Sequence, residues 1–138
     1  MAKDIYHQVV KEALIKDGWT ITHDPLTLLT KAEGGLQTDL GAEKIITAER
    51  GLERIAVEVK SLLSPSVIHE FIKSTGQYKA YIVAIRIKNI QRRMYLAIPQ
   101  FIWESLEGKE VITELVAELN IHLILFDPLD KIITSWKE

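Results

Sequence analysis

Residues 54–60 read Arg54-Ile55-Ala56-Val57-Glu58-Val59-Lys60, and the fold is decided by how this stretch is taken. Three of its residues are β-branched, and the pattern alternates. A strand over Arg54–Lys60 therefore places Ile55, Val57 and Val59 on one face and Ala56, Glu58 and Lys60 on the other. Glu58 and Lys60 then point the same way, about 6.5–7 Å apart. So apolar a strand belongs in the middle of a sheet, where charged side chains are rare unless they have partners. A glutamate and a lysine on a strand are also what a simple cross-strand ion pair looks like. The surrounding sequence has to choose between the two readings.

Upstream, Asp4 to Asp17 reads as a helix with Asp4 as its cap and Gly18 just past its end. Glu12 falls about 20° from Ile5 on the helical wheel, inside the apolar side, where it must either reach the rim of the core and pair locally or find a cation. Trp19–His23 and Leu26–Thr30 read as two strands in a hairpin-like arrangement around Asp24-Pro25. Gly34-Gly35 makes a turn, and the extended piece Leu36–Gly41 carries Asp39. Ile45–Ala48 is a further strand, joined to the decisive one through Glu49-Arg50-Gly51-Leu52.

Downstream, Ser64-Pro65 opens a helix in which Val67, Phe71, Thr75 and Tyr78 recur at helical spacing through about Tyr81. Gln77 and Tyr81, four apart, share a face beside Ser74 and Glu70. Ile82–Ile87 and Met94–Ile98 read as two strands around a basic turn at Lys88-Asn89. Pro99 opens a helix through Leu106, Gly108 breaks it, and Glu110–Leu119 is helical again. Ile121–Phe126 reads as a buried strand and Ile132–Trp136 as an edge strand. This order predicts one α/β (α+β) domain over residues 1–138, a mixed sheet flanked by helices.

A chain of 138 residues can bury roughly 68% of its unfolded surface without covalent staples. It has no cysteine, which excludes disulfides, iron–sulfur clusters, zinc fingers and thiol catalysis. Its apolar runs are too short to span a bilayer, and charges in Met1–Lys11 leave no signal-peptide core, so a cytoplasmic location away from membranes is expected. The net charge of -2 hides a marked asymmetry. Residues 73–93 carry Lys73, Lys79, Arg86, Lys88, Arg92 and Arg93 and no acid, whereas residues 94–138 carry three basic against eight acidic residues. The basic set is a candidate phosphate-contacting surface, with a solvated hairpin bearing basic ends as the alternative.

Asp39 and Glu58-Val59-Lys60 have the chemistry for cutting phosphodiesters. That reaction calls for a divalent cation, Mg²⁺ or Mn²⁺, to neutralise phosphate oxygens and acidify a water, and hard cations favour carboxylate oxygens. Asp39 and Glu58 on neighbouring strands would hold the ion, and the Val59 carbonyl would add an oxygen. Lys60 would orient the water or balance charge on the phosphorane. Other chemistries find no support. His7, His23, His69 and His122 lack zinc-ligand spacing, and the serines lack a nucleophile elbow. No phosphate-binding glycine loop occurs.

With Glu12 before it and Gln77-x-x-x-Tyr81 after it, this pattern resembles the PD-(D/E)XK nuclease superfamily with its restriction endonuclease-like fold, over about residues 4–98. The helix pair is similar to that of the RecB-like branch; Thr38 stands where the superfamily's proline would be. The resemblance implies that Asp39 and Glu58 are metal ligands, Lys60 the catalytic lysine, Glu12 a supporting acid for a metal, and Gln77 a catalytic-site positioning residue. A closer resemblance runs through Asp4-Ile5-Tyr6-His7, Ala13 to Trp19, Thr22-His23-Asp24-Pro25, Asp39 to Lys44, Ala56 to Ser61 and Gly76-Gln77-Tyr78. These segments resemble the XisH family of cyanobacterial controlling factors for fdxN element excision in heterocyst development. That likeness implies an accessory role in DNA rearrangement, beside a site-specific recombinase or a partner controlling factor. A non-catalytic protein that binds DNA or the recombinase and keeps the nuclease fold is the alternative. Phe101, Ile102, Trp103 and Leu106, expected to be exposed or nearly so, would supply a homodimer surface.

Overall fold

The computed structural model describes residues 3–47 and 51–138. Helix α1 (His7–Lys16) is followed by strands β1 (Thr20–His23), β2 (Leu26–Leu29), β3 (Leu36–Thr38), β4 (Leu40–Thr47) and β5 (Gly51–Val59). Helix α2 (Val67–Ile87) then crosses to β6 (Arg93–Pro99). After it come α3 (Gln100–Leu106), α4 (Glu110–Glu118), β7 (Leu123–Asp127) and β8 (Ile132–Lys137). Six strands form one sheet in the order β1-β4-β5-β6-β7-β8, while β2 and β3 pair separately. β5, β6 and β7 are parallel, and the outer pairings are antiparallel, so the sheet is mixed. This is the α+β architecture expected from the sequence.

The predicted alternation of β5 holds. Ile55, Val57 and Val59 pack with Val10 and Leu14 of α1, together with Tyr95, Ala97, Ile124 and Phe126. Ala56 joins the other core, with Phe71, Tyr78 and Tyr81 of α2, Met94, Leu96 and Ile98 of β6, and the helices α3 and α4. β5 and β6 thus have packed neighbours on both faces, as parallel strands do. Emptying a site such as fully buried Phe71 by substitution with alanine would cost about 3–5 kcal/mol.

Three expectations are corrected. Ile82–Ile87 is not a strand but the last turns of α2: Tyr81 and Ala84 are buried while Val83 and Ile87 are exposed, a helical period that its β-branched composition disguised. No basic hairpin therefore exists; β5–α2–β6 is a parallel crossover. β1 and β2 do not pair with each other, since β1 takes β4 as partner and β2 takes β3. Finally, Ile102, Trp103 and Leu106 are buried against the sheet and only Phe101 of that group is exposed, so these residues do not form the apolar surface expected of them. Of the predicted connection Glu49-Arg50-Gly51-Leu52, Gly51 and Leu52 already belong to β5, while Glu49 and Arg50, with Ala48 of the preceding predicted strand, lie outside the described residues. No helix among the described residues is long and apolar enough to cross a membrane.

Candidate active site

Asp39 occupies the break between β3 and β4. Leu40, the next residue, already pairs with Val57, which sets Asp39 beside the end of β5. Its Oδ2 accepts the Val59 N–H at 2.7 Å. The N–H and C=O of a strand residue face the same edge, so the Val59 carbonyl also faces the Asp39 side. Buried Thr38 donates to the Leu40 carbonyl at 3.3 Å and fixes the turn.

Glu58 points to the α2 face and is only 8% exposed. Its Oε2 accepts the Tyr81 hydroxyl at 2.7 Å and lies 3.6 Å from Lys60 Nζ. Asp39, Glu58, Lys60, Gln77 and Tyr81, with Leu36, Gln37, Thr38 and Ala80, line a cleft of about 250 Å³. The sequence-predicted Asp39, Glu58, Lys60 and Gln77 are therefore brought together, between β3 on one side and α2 on the other. Asp4 supports the far end of the motif: its Oδ2 accepts the Ser61 N–H at 2.8 Å, directly after Lys60.

Burial and then the negative charge of Asp39 push the Glu58 carboxyl up to about 7, against the opposing pull of the Tyr81 hydrogen bond and of Lys60. The Tyr81 phenol is driven upward as well, by burial and by Glu58. Two carboxyls placed so that one resists ionisation would both be favoured in their charged forms by a cation between them. Among the described residues no three His, Asp or Glu side chains gather closely enough to hold an ion unaided. A donor set of two carboxylates and a carbonyl edge leaves positions for water, which is the mode a small hard cation such as Mg²⁺ favours.

Sequence reasoning missed His7. This side chain is 4% exposed; its Nε2 lies 2.7 Å from Asp24 Oδ1 and its Nδ1 3.7 Å from Asp39 Oδ1. Nδ1 is buried and has no hydrogen-bond partner among the described residues. Lys11, one turn later on the same helix face, donates to Asp24 Oδ2 at 2.8 Å. The readable signal was that i, i+4 spacing of His7 and Lys11, not a zinc pattern.

Glu12 does not reach the cleft. It lies on α1, which packs on the Ile55–Val57–Val59 face opposite Glu58, and it pairs at 3.4 Å with Lys131 of the β7–β8 turn. The basic set is dispersed rather than gathered. Arg92 donates to the Ala42 and Ile55 carbonyls at 3.3 and 2.9 Å and to Thr22 Oγ1 at 3.1 Å. Arg93 pairs with Glu138 at 3.2 Å, Lys88 pairs with Glu33, and Lys79 reaches the Leu119 carbonyl at 3.4 Å. Lys73 and Arg86 are exposed on α2 without an acidic partner among the described residues, and only Lys73 shares the Gln77 side.

Comparison with known proteins agrees in sequence and in shape. The XisH family, described as XisH protein, matches residues 1–134. An XisH family protein from Nostoc punctiforme superposes with a TM-score of 0.84 at 38% identity, over 98% of this chain and 100% of its own. A fdxN element excision controlling factor protein from Anabaena variabilis gives a TM-score of 0.84 at 36% identity, over 99% and 100%. No curated protein matches the chain.

Proposed function

The chain belongs to the XisH family, and we propose that it serves as a controlling factor in DNA element excision, as its Anabaena variabilis relative is described for fdxN, by metal-dependent hydrolysis of a DNA phosphodiester. One observation carries the hydrolytic part: Asp39, Glu58 and Lys60 meet in a single cleft, with a Glu58 carboxyl that ionises only reluctantly beside Asp39. Nuclease chemistry of the PD-(D/E)XK kind is the reaction such a set supports.

Asp39 and Glu58 would hold Mg²⁺ or Mn²⁺, with the Val59 carbonyl edge and water completing the sphere. When bound, the ion supplies charge neutralisation at phosphate oxygens and a more acidic water. Tyr81 holds Glu58 in place through its hydroxyl. Lys60, half-exposed at the mouth, faces the position where negative charge grows and stabilises it there. Gln77 on α2 offers an amide to an incoming phosphate from the opposite wall.

The test is purified protein with Mg²⁺ or Mn²⁺ on supercoiled and linear DNA, beside Asp39→Ala and Lys60→Ala. Nicking by the native chain that disappears in both variants is expected; cleavage unchanged in both would overturn the assignment. Absence of cleavage by the native chain, with excision in cells retained by both variants, would instead establish the second reading. In that reading the chain binds DNA, the recombinase or a partner controlling factor without cutting. The dispersal of the basic set makes a protein partner the better fit for that role.

A further inference from the structure

We propose that Asp24 is a positioning residue for the cleft: it accepts the Nε2–H of His7 and so turns the bare Nδ1 of the imidazole toward Asp39. The inference rests on the reading that Asp39 helps to hold a cation. A neutral imidazole has one N–H and one lone pair, and its neighbours decide which nitrogen has which. An ionised carboxylate only accepts. With Asp24 Oδ1 2.7 Å from Nε2, the proton belongs on Nε2. Asp24 is itself fixed, since its other oxygen takes a hydrogen bond from Lys11 at 2.8 Å, and Lys3 stands 3.8 Å from Oδ1.

What remains is an acceptor facing an acceptor. Nδ1, buried and without a hydrogen-bond partner among the described residues, lies 3.7 Å from Asp39 Oδ1. A cation held by Asp39 would have a lone pair on that side; with the other tautomer an N–H dipole would oppose it. A carboxylate hydrogen-bonded behind an imidazole fixes its tautomer and ring orientation, the arrangement usual behind a histidine that faces a metal. None of the polar groups that fix this arrangement touches Glu58 or Lys60, so Asp24 acts through His7 rather than on the substrate.

The decisive variant is Asp24→Asn. Lysine can only donate, so Lys11 keeps the amide oxygen on its side and the amide NH₂ turns to His7, driving the imidazole proton to Nδ1. Imidazole ¹⁵N spectra of the full-length native chain and of Asp24→Asn, without metal at pH about 8.5, read the tautomer directly. Calorimetric titration with Mn²⁺ and the unfolding temperature are measured on the same samples. The native chain is expected to show the proton on Nε2. Asp24→Asn should show it on Nδ1 and bind Mn²⁺ about 10–100-fold more weakly. Asp24→Glu should restore the native tautomer. A proton on native Nδ1, alone or with one on Nε2, would overturn the proposal even if no variant folds, and so would an unchanged tautomer in a folded Asp24→Asn. A native Nε2 proton in a chain that binds no Mn²⁺ would overturn the metal reading alone.

Discussion

The Tyr81 hydroxyl donates to Glu58 Oε2 across 2.7 Å, and through this bond α2 is tied to β5 at the cleft. The contact links a helix residue to a strand residue 23 positions earlier and sets the height at which Gln77, one turn before Tyr81, meets the carboxylates.

Tyr81→Phe removes the donor that favours the charged form of Glu58. The carboxyl should rise further above 7, and stability at pH 8 should fall by about 1–3 kcal/mol. Urea unfolding checks this. The loss should shrink at pH 5, where Glu58 is protonated with or without Tyr81.

Without metal, the chain should lose stability as the pH rises from about 4.5 to about 7. Glu58 holds its proton more tightly folded, at about 7, than unfolded, at its ordinary 4.5. Below this window both states are protonated and the stability is full; above it the folded state carries an unfavourable charge. Glu58→Gln should remove this contribution to the slope and stabilise the metal-free protein at pH 8 by about 1–3 kcal/mol, while losing Mn²⁺ binding. Unfolding curves across this range in EDTA measure the slope.

Arg92 holds the sheet together more than it offers charge to DNA. Arg92→Ala leaves the Ala42 and Ile55 carbonyls without their guanidinium and should cost about 2–4 kcal/mol by thermal unfolding. Lys73→Gln, on the Gln77 side of α2, should leave stability unchanged. It should reduce the salt dependence of DNA binding by about one counterion in a titration across salt concentrations.

Gly41 should not tolerate a side chain. A Cβ there would sit 3.1 Å from both Arg92 Nη1 and Thr22 Oγ1 and 3.3 Å from His23 Cβ. Gly41→Ala therefore displaces the Arg92 anchor and should lower stability by about 1–3 kcal/mol, seen as a lower unfolding temperature.

The reading of the decisive strand survives in the structure because Ile55, Val57 and Val59 join one core while Ala56 joins the other and Glu58 the cleft, although every position from Ile55 to Val59 is buried. The same logic misread Ile82–Ile87. There β-branched residues fill the last turns of a long helix whose packing against β6, not its composition, decides its state. For Glu12 the rim position with a local partner was legible and Lys131 is that partner, but the metal role failed, because a helical wheel gives an angle and not which face of the sheet the helix will cover. His7 was illegible because its role depends on Asp24 and Asp39, 17 and 32 residues away, converging on it. The basic run had a true composition and a false geometry, since neighbours in sequence along a helix and a loop point to different sides.

The β2–β3 hairpin pairs only with itself, and its tip at Gly34-Gly35 adopts backbone angles of φ +118° and +72°, with open space beside Gly34. Its second strand leads straight into Asp39, and Glu33 beside the tip pairs with Lys88 at the end of α2, so the hairpin runs from the cleft to that helix end. In a chain without cysteine, Ala32→Cys on the exposed bend would create a single thiol. A fluorophore attached there would report, from outside the main sheet, when a ligand enters beneath the hairpin.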